Sequence, residues 1–200
     1  MRIPLKCSFF IAFLLTMMTT SCASIKTVNV WKDETSNERL QKVLVIAAAQ
    51  VDFMQEHFEN VLSERLASRG VEAVPGNKVF SQSGAKLERE AILAKVRELG
   101  IRNVLVARPI SKEETSQLYP GGIYTVPLDY RDGWFRFYSY EPGSAYDAEF
   151  FTIVTNVYEV KGEKLIWSYL SRVKVENSRE GTINPFIDVL MKQLQESKLL

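Results

Sequence analysis

One histidine, His57, and two cysteines, Cys7 and Cys22, are the whole supply of imidazole and thiol in this chain. A Ser-His-Asp arrangement could be built only around His57. That residue falls between Met54 and Val61, at the border of an apolar helical stripe, where packing or a solvent edge explains it better than catalysis. A structural zinc site needs four Cys or His ligands, which the sequence does not hold. The segment Ala47 to Asp52 (AAAQVD) follows a strand-like run where phosphate loops occur, yet it lacks the glycines and the lysine that cradle phosphate. No metal and no cofactor are expected on these grounds. Among the carboxylates, Asp129 and Asp132 beside Gly133 read as turn residues rather than calcium ligands, because no EF-hand spacing surrounds them. Asp147 and Glu149 are the pair an envelope glycan or peptidoglycan hydrolase would use. The residue types therefore favour a non-catalytic binding or scaffolding module. The hydrolase stands as the alternative, with a small-ligand or lipid carrier behind it.

Cys22 is the residue whose surroundings carry a definite chemistry. A basic start, Met1 to Lys6, leads into the apolar run Cys7 to Met18 (CSFFIAFLLTMM) and then into small polar residues. This is secretory signal architecture, and a run of about a dozen residues is short of the ~20 that span a bilayer. Thr19-Thr20-Ser21-Cys22-Ala23 resembles a bacterial lipobox, in which the cysteine thiol is acylated and becomes the new N-terminus. Thr19 departs from that pattern, which usually carries an aliphatic residue there. Cleavage after Ala23 by ordinary signal peptidase is the competing reading. No cysteine follows Cys22, so disulfides and thiolate metal sites make no claim on it, and lipid attachment is the use that remains. Two or more acyl chains give stable membrane attachment where one does not. The expected partners are thus the membrane, through the lipid, and an envelope protein or peptidoglycan. Ala23 implies the periplasmic face of the outer membrane if the source is Gram-negative. Without residues 1–21 the chain holds 23 basic against 24 acidic residues, which gives no basic footprint for nucleic acid.

The elements that must position these residues follow from periodicity. Residues 1–21 are assigned to the signal, 22–41 to the lipidated N-terminus with a short strand and loop, and 42–200 to one α/β domain. Ser24 to Trp31 is rich in β-branched residues and reads as a strand. Lys42 to Ala49 is a buried strand. A helix starts at Asp52, with Gln55 in capping-box position, and runs to Gly70. Val71 to Val74 is a second strand, Lys86 to Leu99 a helix stopped by Gly100, and Asn103 to Ile110 a third strand. This β-α-β-α-β unit predicts an α/β fold with a mixed sheet. Residues 111–147 then hold seven Gly or Pro and six of the eight tyrosines. In this insert Tyr119, Tyr124, Tyr130, Trp134, Tyr138, Tyr140 and Tyr146 are the candidate partner-binding residues, because exposed aromatics offer rigid amphipathic area. Ala148 to Val160 and Lys164 to Glu176 predict an antiparallel hairpin around Lys161-Gly162-Glu163. Asn184-Pro185 reads as the start of a C-terminal helix.

Taken in order, Cys22, Val28-Asn29-Val30-Trp31-x-Asp33, Val43 to Ala47, Gly70 to Pro75 (GVEAVP), Val104 to Ala107, Thr155-Asn156-Val157-Tyr158 and Leu165-Ile166-Trp167-Ser168 resemble a widespread family of Gram-negative outer-membrane lipoproteins of unknown function. More distantly the element order is similar to TolB N-terminal, CsgG and LpoB-type domains. The resemblance implies an envelope interaction module and supplies no active-site residues. Residues 23–41 are shorter and more ordered in pattern than the tether a long-reach activator would need.

Overall fold

The computed structural model describes residues 24–48, 52–80, 89–110, 146–147 and 150–200. Seven strands form one sheet: β1 (Ile25–Lys32), β2 (Lys42–Ala47), β3 (Glu72–Pro75), β4 (Asn103–Ile110), β5 (Tyr146–Asp147), β6 (Phe150–Glu159) and β7 (Lys164–Lys174). Their order is β1-β7-β6-β4-β2-β3, with β5 paired to β6. β2 is parallel to β3 and to β4, and every other pairing is antiparallel. Among the described residues three α-helices join them: α1 (Asp52–Ala67), α2 (Arg89–Glu98) and α3 (Arg179–Glu196). The fold is the mixed α/β sheet that the periodicity predicts, closed by the antiparallel hairpin and the C-terminal helix.

The helices divide between the two faces because alternate strand residues do. Val43, Val45, Leu105, Val157, Trp167 and Tyr169 form one buried cluster with Phe58, Leu62 and Leu66 of α1 and Ile183 to Leu194 of α3. Leu44, Ile46, Val104, Val106, Tyr158 and Leu165 form the other, with Ile92, Leu93 and Val96 of α2. On the first face Phe58 stacks on Phe186 at 5.8 Å, which locks α1 to α3. Trp167, fully buried, stacks on Tyr169 and donates Nε1–H to Ser197 Oγ at 2.9 Å. Burying a side chain of this size contributes about 3 kcal/mol, and the indole N–H finds its acceptor.

Helix ends follow the glycines. Gly70 and Gly100 take positive φ (82° and 62°), and the residues after them, Val71 and Ile101, donate back to Leu66 and Val96. One local expectation is corrected. α3 starts at Arg179, not at Asn184: Ser178 is its N-cap, with Oγ accepting from Gly181 N–H at 3.0 Å. A Cβ at Gly181 would lie 2.9 Å from that Oγ, so glycine makes room for the cap. Asn184 instead faces α1.

Candidate functional site

Register places several chain ends in one row across the sheet. Ile25 at the start of β1 pairs with Val173, Val173 pairs with Phe151, Phe151 pairs with Tyr146, and Thr152 pairs with Ile110. Ala47, at the end of β2, pairs with Ala107 of β4 near that same end. The first strand therefore enters where β4 ends and β6 begins. Ile110 and Tyr146, the described residues flanking the Gly/Pro-rich aromatic segment, are neighbours in this row. Ser24, just before β1, already belongs to the sheet, since its carbonyl accepts from Lys174 N–H at 2.8 Å.

The parallel strands bring a buried carboxylate to this end. Glu59, on the second turn of α1, is fully buried. Its Oε1 accepts from the backbone N–H of Ala47 at 2.9 Å and from Gln55, and its Oε2 accepts from the N–H of Asn77 at 2.6 Å. It thus ties the end of β2 and the turn after β3 to α1. Gly76 lies so close that a Cβ there would meet Val45 O at 3.0 Å and Glu59 Oε1 at 3.2 Å. Burial raises the Glu59 carboxyl above the ordinary carboxylate range, and the hydrogen bonds from Ala47, Asn77 and Gln55 work against that rise. Each carboxylate oxygen is occupied by main-chain donors, so this group holds backbone rather than substrate.

Asp33 does comparable work at the other end of the sheet. It is 8% exposed, with Oδ2 at 2.5 Å from Lys164 Nζ and Oδ1 accepting from Thr35 N–H and Oγ1–H at 2.9 and 2.7 Å. Lys164 holds its carboxyl below the usual range, helped by Thr35 and opposed by burial. The Trp31-x-Asp33 motif is accordingly a clasp between β1 and β7. Nearby, a cleft of about 260 Å³ is lined by Glu38, Ile101, Arg102, Glu159, Val160 and Lys161. Its guanidinium is spent on Glu38 at 3.6 Å and on Gln41.

The sequence-predicted residues separate as follows. Cys22 lies outside the described residues, as do Tyr119, Tyr124, Tyr130, Trp134, Tyr138, Tyr140, Asp129, Asp132 and Glu149. Tyr146 and Asp147 form β5, paired to Phe151 and Phe150. His57 is half-buried and within 3.2 Å of Asn184 Oδ1, a contact between α1 and α3. Glu59 and the Asp33–Lys164 pair escape a reading of sequence, although the buried run Gln55, Glu59, Ser63 at i, i+4 spacing beside the apolar stripe is a signal for the former. On the α2 face, Asn29 Nδ2, Asn156 Oδ1 and Ser168 Oγ are buried without a hydrogen-bond partner among the described residues. Also among those residues, no helix is long and apolar enough to cross a membrane, and no three Asp, Glu, His or Cys side chains cluster as metal ligands do.

No family model and no curated protein matches the chain. Among solved structures it is similar to the PelC dodecamer from Paraburkholderia phytofirmans, at 11% identity and a TM-score of 0.47, covering 86% of this chain and 97% of that one. It is also similar to lipoprotein GNA1162 from Neisseria meningitidis, at 13% identity and a TM-score of 0.40, covering 78% and 99%. Likeness at this level assigns no function.

Proposed function

We propose that the protein is a lipid-anchored envelope lipoprotein, held through Cys22 on the periplasmic face of the outer membrane, where its α/β domain acts without catalysis as a binding or scaffolding module. The observation that carries this reading is the distance along the chain from Cys22 to the first residue built into the sheet. Ser24 already accepts a hydrogen bond from Lys174, so the chain between an acylated Cys22 and the folded domain can span at most about 7 Å. A domain on so short a lead has its reach fixed by the membrane, and its partners meet it there. The aromatic segment bearing Tyr119, Tyr124, Tyr130, Trp134, Tyr138 and Tyr140 is bracketed in the chain by Ile110 and Tyr146, which stand at the anchored end. That placement supports a partner at the membrane surface, an envelope protein or peptidoglycan.

A Cys22→Ser variant tests the anchor. The expected outcome is loss of fatty-acid labelling and movement of the protein out of the membrane fraction. Unchanged membrane retention of the variant would overturn lipid attachment. For the binding role, photo-crosslinkers at Tyr124 and Trp134 of the anchored protein should give a discrete adduct with one envelope protein or with peptidoglycan fragments. Turnover of glycan or peptide crosslinks that disappears in single variants of Asp129, Asp132, Asp147 or Glu149 would overturn the non-catalytic reading.

A further inference from the structure

We infer that the anchored end of the sheet is itself a membrane-contact surface, with the side chains of Lys26, Arg172 and Lys174 meeting the phosphates of anionic phospholipid headgroups and Val28 and Val175 entering between them. The inference rests on the lipid anchor proposed above and deepens it by assigning an orientation. Three observations support it. Among the described residues, the exposed large apolar side chains are Val28, 48% exposed, and Val175, 37% exposed. Both flank the point where the chain enters from Cys22: Val175 follows Lys174, which bonds Ser24, and Val28 is the unpaired residue of the β1 bulge, three positions beyond Ile25. Apolar residues left in water at the one end that a short lead presses to a bilayer have an occupant to hand.

The charges are the second observation. Lys26 and Arg172 are direct cross-strand partners, and Lys174 follows Arg172 by two residues, so all three share one side of the strand ends. Like charges placed opposite one another destabilise a strand pair. Neither Lys26 nor Arg172 has a carboxylate partner among the described residues. Arg172 lies over the ring of Phe150, 4.9 Å from its centre, and among the described residues Lys174 alone of the three has an acid nearby, Glu176 at 3.5 Å. A layer of phosphates offsets this repulsion, and basic side chains near an anionic surface are attracted to it over about a Debye length. Third, the lead from Cys22 to Ser24 is too short to let this end turn away. The opposite end, with Lys161 at the β6–β7 turn, then points into the periplasm.

The test uses the lipidated full chain in vesicles of phosphatidylcholine with phosphatidylglycerol. Single variants Val28→Cys, Val175→Cys and Lys161→Cys carry a fluorophore, and a spin label sits on the lipid headgroup. Loss of most of the emission at positions 28 and 175, with none at 161, is expected. In the Lys26→Glu/Arg172→Glu background the quenching at 175 should weaken, while staying above that at 161, and the protein should still float with the vesicles. Raising the salt concentration with the original charges in place should weaken it in the same direction. Equal quenching at all three positions, no quenching in protein that floats, or indifference to both charge reversal and salt would overturn the orientation and leave the anchor standing. Protein that fails to float with vesicles would overturn lipid attachment, and this surface with it.

Discussion

Two carboxylates show how single residues act in this molecule, and their opposite environments give opposite pH signatures. Glu59 is buried with no cation beside it among the described residues, and its carboxyl is raised. The folded state therefore binds its proton more tightly than the unfolded chain does. By linkage, stability falls as pH rises from the unfolded-state value through the raised one. Asp33, held down by Lys164, behaves in reverse: its contribution is present above the unfolded-state value and is lost as pH falls through the lowered one. Glu59→Gln keeps the shape but turns one acceptor into a donor facing the N–H of Ala47 or Asn77, at a cost of about 1–3 kcal/mol in acid. Melting curves across pH should show the Glu59→Gln deficit shrinking as pH rises and the Asp33→Asn deficit growing. Parallel profiles for the two variants would mean that at least one of the carboxylates is not perturbed as described.

At the scale of elements, α3 shows where a correct local rule selects the wrong residue. Asn184-Pro185 has the composition of a helix start, but Pro185 is the seventh residue of α3, where it leaves the Gly181 carbonyl without its helical donor. The turn before it is held by other means. Ser178 caps, and Thr182 Oγ1 donates to the Ser178 carbonyl at 3.0 Å and accepts from Glu176 N–H at 3.0 Å. Ser178→Ala should cost about 1 kcal/mol by denaturant titration and fray residues ahead of Pro185. Asn184→Ala should leave the helix start intact and loosen only the contact with His57. Helical signal lost in Asn184→Ala and kept in Ser178→Ala would restore the later start. Elsewhere the strands were legible because buried runs such as Val43 to Ala47 and Val104 to Ile110 admit few other structures. The helix stops were legible because Gly70 and Gly100 supply the positive φ that ends them. Glu59 was not, since an acid on a helix carries no local mark of the main-chain donors, from Ala47 and Asn77, that it will meet. The cross-strand pairing of Lys26 with Arg172, 146 positions apart, exists only once the sheet forms.

For the molecule as a whole, the stability of β1 sets how far the domain stands from its anchor. β1 is an edge strand held by β7 alone, with a bulge at Val28, yet its far end is clamped: Asp33 N–H donates to the Ile166 carbonyl at 3.0 Å and Lys32 Nζ reaches the Ser197 carbonyl at 2.8 Å. If β1 detached, Asp33 would become the first fixed residue, and the lead from Cys22 would grow from about 7 Å to roughly 36–40 Å. That extended reach would suit an activator working across the periplasm, whereas the docked strand suits a domain seated on the bilayer. Hydrogen exchange on the native protein separates the two. Central amides of β6 and β7, flanked by strands and covered by helices, should exchange slowest, near the global unfolding limit. The β1 amides that donate to β7 should exchange faster than these but far more slowly than an unstructured peptide, because freeing them breaks the Asp33 and Lys32 clamps as well as the ladder. Asp33→Asn should speed exchange in β1 selectively. Exchange of β1 at unstructured rates while β6 stays protected would make the lead long in solution, and the seated domain would give way to a tethered one.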